Sequence, residues 1–404
     1  MASPLDGIRI LEVANWAAAP CAVAIMADMG AEVIKVEPTR GDSMRGTLRQ
    51  AVLAPGQENP DHPFQFANRG KKSIAVDLRT PEGADLVRGL AGHVDIFLTN
   101  LMATRRERFG LTPEDVFAVN PTVVYATFTG YGESGPDASK PGFDTTAFFS
   151  RGGVASVIPG PDGAPPRFRP GHGDHAAGLG LLSGVLAALR MRDRTGEGQV
   201  VEASLIATAT WTLAMDLAPC LVDHRQPSHR SRYETVSHTM EAYRCADGRW
   251  VQIMMAHPDK GWRRLCLALG REDLIDHPDF ATARARFAHP RMVTETLDAE
   301  FARRTLDEWA EILDEHRCIW APVSELPEVV EDPQVRAAGA FETVHHPTAG
   351  DFETIAAPFR LPGTDMAVRG PAPEVGEHTD EVLGELLDLD HEQVAELHRR
   401  GTIA

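Results

Sequence analysis

The chain has 404 residues and a formal net charge of −18 at neutral pH, which argues against nucleic acid or an anionic membrane surface as its partner. Its length is sufficient for a large core and predicts two domains. No apolar run reaches the roughly 20 residues of a membrane span, and the five scattered cysteines show no C-x-x-C pair. Together these features predict a cytoplasmic protein with reduced cysteines and no metal site.

The first half of the chain alternates strand patterns with helix patterns. Residues 7–13 and 32–36 are apolar and β-branched, which predicts two buried strands with a helix between them. Further strands are predicted at residues 73–78, 95–98, 122–128 and 198–205. Helices are expected after the Thr-Pro-Glu signals that begin at Thr80 and Thr112, and across 207–221. This alternation predicts an open, doubly wound parallel α/β sheet of Rossmann-like type.

The composition changes after residue 222, where residues 223–239 read as a polar linker. A smaller α+β domain is predicted next, with a hairpin at 241–255 and three helices at 260–269, 291–302 and 305–315. Strand material at 341–361 and a final helix at 391–399 follow. We therefore predict a large domain in residues 1–222, the linker and small domain in 223–325, and a C-terminal segment in 326–404 that returns to the large domain.

Asp174 stands out because glycines surround it just before an apolar run. Residues 171–175 read GHGDH, and the run from 176 to 189 carries leucines at helical spacing, with Gly178 and Gly184 leaving room for a close neighbour. Asp174 is either the N-cap of this helix, worth about 1 kcal/mol, or a nucleophilic carboxylate. A relaxed dinucleotide fingerprint at Gly171, Gly173 and Ala176 is rejected because no strand precedes it.

Several segments in a fixed order resemble the class III CoA-transferases, which include formyl-CoA and carnitine CoA-transferases and are related to the α-methylacyl-CoA racemases. The segments are residues 4–11, 29–37, 68–73, 80–83, 171–189, 318–323, 332–333 and 376–380. The resemblance implies an open α/β large domain, a small domain, an interlocked homodimer and coenzyme A bound at the strand ends. It also implies that an aspartate at the position of Asp174 is the nucleophile, which favours catalysis over a cap.

The chemistry that the resemblance implies suits a carboxylate. An ionised aspartate attacks an acyl-CoA thioester to give an aspartyl anhydride, and the CoA thiolate then converts it to an aspartyl-CoA thioester. A carboxylic acid accepts CoA by the reverse steps, without ATP or metal.

The resemblance also implies CoA contacts, at Ala17, Ala18, Val76, Asp77, Leu78, Arg79, Asn100, Leu101, Met102 and Arg108. Formyl-CoA transferases carry an arginine where this chain has Pro38, so Arg40 is expected to replace it. They carry glutamine where this chain has Ala17, which argues against formate or oxalate as substrate. Lys71 and Lys72 belong to the same basic set and Lys72 is assigned to CoA, whereas we interpret Arg105 and Arg106 as solvated charges.

Two alternatives remain open beside the transferase. The racemases use a histidine in a Gly-His-Asp motif as one of two opposed bases, but this chain has Phe143 there, which cannot carry a proton. His172 or His175 would have to stand in, so transfer is favoured. A CoA-binding protein without catalysis is the other alternative, and the retained Asp174 argues against it.

Overall fold

The computed structural model describes residues 2–48, 58–158, 160, 164–227, 231–234 and 237–404. The chain forms two compact units, of which one holds Met1–Gln226 with Ala337–Ala404 and the other holds Pro227–Arg336. The predicted boundaries at 222 and 325 lie four and eleven residues before these changes of unit. The second change of unit lies after the predicted residue 325 because Glu328 still belongs to the second unit, where it forms an ion pair with Arg249 at 2.6 Å.

The first unit is built on one six-stranded sheet. Its strands are β1 (Arg9–Val13), β2 (Glu32–Glu37), β3 (Lys72–Ala75), β4 (Ile96–Thr99), β5 (Val124–Thr129) and β6 (Gln199–Ser204). They are parallel throughout, in the order β3-β2-β1-β4-β5-β6. The predicted open parallel sheet is confirmed. The order reverses direction between β1 and β4, and ligands of such sheets bind at the carboxyl ends of the strands beside that point.

Helices cover both faces of this sheet. The first part of the unit contains α1 (Ala18–Asp28), α2 (His62–Asn68), α3 (Pro81–Ala91), α4 (Ala103–Phe109), α5 (Pro113–Val119), a π-helix (Asp144–Arg151), α6 (Val154–Val157), α7 (His172–Thr195), α8 (Leu205–Thr212) and α9 (Ala214–Asp223). The Thr80 and Thr112 side chains cap α3 and α5 as their sequences predict. Apolar residues of α1 and α7 form one core with one sheet face, and those of α3 form a second core with the other face.

The second unit contains a small antiparallel sheet packed with helices. Its elements are β7 (Ala242–Arg244), β8 (Trp250–Ile253), α10 (Pro258–Leu269), α11 (Ala283–Ala288), α12 (Pro290–Phe301), α13 (Leu306–Glu315), β9 (Trp320–Pro322), α14 (Leu326–Glu331) and α15 (Pro333–Ala337). Strands β7 and β8 form the predicted hairpin, and β9 pairs with β8. The buried Trp262 and Trp309 anchor its core.

The C-terminal segment belongs to the first unit. It forms the hairpin β10 (Phe341–His346) and β11 (Gly350–Ile355), followed by α16 (Thr379–Leu387) and α17 (His391–Arg399). Val382 and Leu383 of α16 pack into the second core of the sheet. The last residues extend the sheet edge, because the Asp77 N–H donates to the Thr402 carbonyl at 2.8 Å and Val76 bridges to Ile403. The predicted strand 73–78 therefore ends at Ala75, and an antiparallel bridge replaces its last part.

Two helix predictions need correction. Helix α7 begins at His172, two residues before Asp174, and its Leu179 is 37% exposed although the leucine spacing predicts burial. The single helix predicted across 207–221 is two helices, α8 and α9, which bend by 84°. In the described part of the chain no single helix is long and apolar enough to cross a membrane, while this bent pair meets the length and composition limits only when both helices are taken together.

Candidate active site

Asp174 lies in the first turn of α7, and its carboxylate is not a cap. The N-cap is Gly171, whose φ of +98° favours glycine, and Asp174 is the third helical residue. Among the described residues, none donates a hydrogen bond to the Asp174 carboxylate, which is half-buried. The N-cap interpretation is therefore wrong. An ionisable side chain is held at the start of a long helix without a structural partner.

Two glycines let neighbouring elements approach the Asp174 turn closely. A Cβ built on Gly178 would lie 2.7 Å from the carbonyl oxygen of Ala18, at the start of α1. A Cβ built on Gly173 would lie 2.7 Å from the Phe148 ring, in the π-helix. Larger side chains at either position would push these elements apart. Asp174 is consequently fixed between the amino-terminal end of α1 and the π-helix.

Asp144 supports the turn and shifts the ionisation of Asp174. Its buried carboxylate accepts the Gly171 N–H at 2.6 Å. Burial, together with the negative charge of Asp144, raises the pKa of Asp174 to about 7. No pattern in the sequence indicates this role of Asp144, because Asp144 and Gly171 are 27 positions apart.

We expect Asp144→Asn to move the pH dependence of the reaction. The amide oxygen can still accept the Gly171 N–H, but the charge that opposes ionisation of Asp174 is gone. The pKa of Asp174 then falls, so the rising limb of kcat/KM, expected near pH 7 in the parent enzyme, moves to lower pH. A pH profile of both enzymes checks this, with Asp137→Asn as a control because Asp137 pairs with Lys140 and Arg151. An unchanged limb would contradict the assignment.

A cavity of about 450 Å³ opens at the carboxyl ends of β1 to β4. Its volume lies in the range of sites for small ligands. Seven of the predicted CoA contacts line it, and they come from three separate loops and from α4: Arg40, Val76, Asp77, Leu78, Arg79, Leu101 and Arg108. Asn15, Glu37 and Phe109 also line the cavity. The structure thus brings together residues that are 68 positions apart in the chain, from Arg40 to Arg108.

Three cations on the cavity wall are free to receive a phosphate. Arg40, Arg105 and Arg108 are exposed and form no ion pair with any residue that the structure describes. By contrast, Arg79 is held by Asp77 at 2.7 Å. The interpretation of Arg105 as a solvated charge stays a prediction, since Arg105 is exposed, and Arg105 also lines the cavity. That of Arg106 is wrong, because Arg106 is buried and paired with Glu133.

Lys72 does not belong to this set. It begins β3 and lies at the amino edge of the sheet, whereas the cavity lies at the carboxyl edge. Its amine is paired with Glu32 at 3.1 Å and with Glu381 at 2.8 Å. Lys72 is therefore not a candidate CoA contact, because it lies at the opposite edge of the sheet from the cavity and its charge is already paired.

The remaining predicted contacts lie between the cavity and Asp174. Asn100 and Asn15 exchange two hydrogen bonds, Asn15 N–H to Asn100 Oδ1 at 3.1 Å and Asn100 Nδ2 to the Asn15 carbonyl at 2.7 Å. Met102 follows on the same loop and is outside the cavity lining. Ala17 and Ala18 form the start of α1. Asn15 lines the cavity and Ala18 meets Gly178, so four consecutive residues lead from the cavity to the Asp174 helix.

A network of buried ion pairs holds the loop of residues 15–18, and no local pattern in the sequence indicates this network. Lys35 pairs with Glu12 at 3.1 Å and Asp42 at 2.9 Å, and it donates to the Ala14 carbonyl at 2.8 Å. Lys71 pairs with the other oxygen of Glu12 at 2.6 Å. The network ends on the loop itself, where Asp42 accepts the Trp16 N–H at 3.2 Å. Its charges are internal to the fold, so Lys71 is not a CoA ligand.

No group of three or more His, Cys, Asp or Glu side chains with the spacing of a metal centre occurs in the part of the chain that the structure describes. The five cysteines are all unpaired.

Comparison with known proteins identifies the family. The model of CoA-transferase family III matches residues 5–379. An (R)-2-hydroxy-4-methylpentanoate CoA-transferase of Clostridioides difficile is 30% identical over 96% of this chain and 97% of its own length. A succinate--glutarate CoA-transferase of Agrobacterium fabrum is 32% identical over 96% of each. The crystal structure of Rv3272 from M. tuberculosis superposes with a TM-score of 0.82 at 32% identity, covering 94% of this chain and 99% of that one. The chain therefore belongs to CoA-transferase family III and is an enzyme.

Proposed function

We propose that this enzyme moves CoA from an acyl-CoA thioester to a carboxylic acid, with Asp174 as the nucleophile. The observation that carries the proposal is the position of the Asp174 carboxylate. It accepts no hydrogen bond from the residues that the structure describes, and it lies at the same edge of the sheet as the cavity with the free arginines. The CoA nucleotide binds in that cavity, and its thioester end follows residues 15–18 towards α7.

The reaction conserves the thioester bond energy. An Asp174 oxygen attacks the thioester carbonyl carbon, the C–S bond breaks, and CoA leaves as thiolate from an aspartyl–acyl anhydride. The thiolate then attacks the aspartyl carbonyl carbon, which releases the donor as a carboxylate and leaves CoA on Asp174 as a thioester. An acceptor carboxylate attacks that thioester and again expels the thiolate. Attack of the thiolate on the acceptor carbonyl forms the new acyl-CoA and restores the Asp174 carboxylate.

The environment of Asp174 suits this role. A carboxylate with few hydrogen bonds loses little solvation when it attacks, and a pKa of about 7 leaves a large ionised fraction at neutral pH. The buried Asp144 adds a negative charge that disfavours ionisation and so makes the Asp174 carboxylate more basic.

Trapping with hydroxylamine tests the proposal against proton transfer at the α-carbon. With an α-methylacyl-CoA in D2O and no acceptor acid, we expect a hydroxamate on Asp174 and retention of the α-hydrogen. Phe143 is the reason, because it stands where a racemase needs a base and carries no titratable group. Rapid deuterium incorporation with inversion, and no hydroxamate on Asp174, would overturn the transferase mechanism.

We also propose that two chains form an interlocked homodimer. The bent helices α8 and α9 expose large apolar side chains, with Trp211 82%, Met215 89% and Val222 83% exposed. Contiguous apolar surface of this kind indicates a protein interface. We expect a dimer at every concentration, because interlocked chains cannot separate without unfolding. Sedimentation velocity over a wide dilution range checks this, and a monomer that appears on dilution would contradict it.

Removing the free cations of the cavity should weaken CoA binding without slowing chemistry. We expect Arg40→Ala and Arg108→Ala each to raise the KM for acyl-CoA about 5-fold, because an exposed charge contributes about 1 kcal/mol, while kcat stays near the parent value. The loss should shrink as salt increases. Lys72→Ala is the matched control, since its amine is paired at the opposite edge of the sheet. An equal KM in the arginine variants and the control would remove the cavity from the proposal.

A further inference from the structure

We propose that the acyl group of the substrate that reacts with Asp174 is apolar, an aryl or branched aliphatic group, and that Trp16 and Phe143 form the surface that binds it. This inference rests on the proposed function and adds the substrate class to it. The names of the two relatives leave that class open, because one refers to a branched 2-hydroxy acid and the other to two dicarboxylic acids.

The first observation is an exposed aromatic pair at the Asp174 turn. Trp16 is 36% exposed and Phe143 is 53% exposed, and their rings meet edge to face with centroids 5.8 Å apart. Trp16 is two residues before Ala18, whose carbonyl faces Gly178 of α7. Phe143 immediately precedes Asp144, which binds the Gly171 N–H. Both elements that hold the turn therefore present an aromatic ring beside it.

The second observation is that the fold holds Trp16 in an unfavourable backbone conformation. Its φ is +67°, in the left-handed region that a bulky side chain rarely adopts. Asp42 accepts its N–H, and Asp42 is in turn paired with the buried Lys35. A strained residue at a candidate active site, held by a dedicated buried network and with its indole still partly exposed, indicates a ligand contact.

The third observation is a further aromatic contact at the residue that follows Asp174. The rings of Phe66 and His175 meet edge to face at 5.2 Å, and His175 directly follows Asp174. Burial, with a smaller contribution from the nearby His172, lowers the pKa of His175 and so disfavours its charged form. Two aromatic contacts, Trp16 with Phe143 and Phe66 with His175, are therefore built from elements and residues that adjoin the Asp174 turn.

The charges at the turn disfavour a second carboxylate on the substrate. Asp144 is buried and has no ion-pair partner among the described residues, so a dicarboxylic acyl group would bring a further negative charge towards two carboxylates. The basic side chains of the neighbouring elements are already occupied: Arg69 binds Asp28, Lys71 binds Glu12, and Arg151 binds Asp137. Lys140 also binds Asp137, whereas Arg167 and Arg169 are exposed in the segment that enters the turn.

An exchange assay tests the substrate class without knowledge of the natural acceptor. The enzyme is incubated with an acyl-CoA and the same acid carrying 13C, and label entry into the thioester is followed by mass spectrometry. The matched pairs are phenylacetyl-CoA and 3-methylbutanoyl-CoA against succinyl-CoA and glutaryl-CoA. We expect kcat/KM for the apolar pairs to exceed that for the dicarboxylic pairs by about 100-fold, a difference that an aromatic contact and an unpaired charge together can supply.

Variants assign that preference to the aromatic pair. We expect Phe143→Ala and Trp16→Asn to reduce exchange with phenylacetate at least about 10-fold. Asparagine is chosen at position 16 because it tolerates a left-handed backbone, so the loop can keep its shape. Phe287→Ala, another exposed phenylalanine in the second unit, is the control and should leave exchange unchanged.

The outcomes separate this inference from the proposed function. Faster exchange with succinate or glutarate, lost in Arg167→Gln or Arg169→Gln, would overturn the apolar class and leave transfer at Asp174 intact. An apolar preference that survives both aromatic variants would overturn the assignment of Trp16 and Phe143. Failure of all four pairs to exchange, with no hydroxamate on Asp174, would overturn the proposed function and this inference with it.

Discussion

Asp174→Asn and Asp174→Ala are expected to lower kcat/KM for CoA transfer by at least about 1000-fold, while the chain folds and assembles as before. Loss of a nucleophile removes the covalent route altogether, and effects of this size or larger are usual for such residues. The fold should tolerate the change, since the Asp174 carboxylate accepts no hydrogen bond from the described residues and the helix is capped at Gly171. Asp193→Asn, an exposed change near the other end of α7, is the matched control.

The stability of the same variants distinguishes a nucleophile from a structural carboxylate. The pKa of Asp174 is raised in the folded chain, from 3.8 to about 7, so folding disfavours its ionised form. The native state therefore loses stability as pH rises between these two values. Asp174→Asn removes that penalty, and we expect its Tm at pH 8 to equal or exceed that of the parent enzyme. If the Asp174 side chain were a cap, Asp174→Ala would have the opposite sign, with a loss of about 1 kcal/mol. Near-native turnover, or a lower Tm at pH 8, would contradict our assignment.

The local patterns of the sequence were sufficient to predict the parallel sheet. Strands such as β1 and β5 are buried on both faces and so read as continuous apolar runs. Helices α3 and α5 begin at Thr-Pro-Glu signals whose threonines cap them in the structure. These features depend on residues a few positions apart, and for that reason one sequence is enough to predict them.

Charged side chains were harder to place, because their partners are distant in the sequence. Lys71 and Lys72 are adjacent, yet Lys71 points into the buried network and Lys72 pairs with Glu32 and Glu381 at the sheet edge. Arg105 and Arg106 also point in different directions. Arg105 lines the cavity, whereas Arg106 pairs with Glu133. Adjacent residues point in different directions, and this decides which of two basic side chains is buried. A cluster of basic residues in the sequence does not indicate which one it is.

The aromatic pair and Asp144 were missed for a related reason. Phe143 was interpreted only as the absence of a histidine, and nothing in the sequence around Trp16 or Phe143 indicates that the two rings meet. The contact arises because the loop after β1 and the π-helix both pack against the start of α7. Contacts of this kind form only in the tertiary fold. In our proposal they determine the substrate class, which the shared family motifs do not.

Lys35→Met is expected to destabilise the chain by about 3–5 kcal/mol, the cost of leaving buried carboxylates without their cation. Lys35 is fully buried in β2, and although burial opposes its charge, Glu12 and Asp42 hold its pKa above the ordinary range. The ammonium is therefore charged, and methionine fills its space without replacing its bonds to Glu12, Asp42 and the Ala14 carbonyl. Unfolding by urea should show the loss as a lower midpoint.

The same substitution should also impair catalysis, because the network positions the loop between the cavity and Asp174. Without Lys35, Asp42 has no buried cation and no longer fixes the Trp16 N–H, so the strained conformation of Trp16 can relax. We expect kcat/KM for apolar acyl-CoA to fall at temperatures where the variant is still folded. Lys72→Met is the control, because its ion pairs are partly exposed and contribute less than about 1 kcal/mol. If Lys35→Met cost no more than Lys72→Met, Lys35 would not be charged in the folded chain, and the buried network would not hold the active-site loop.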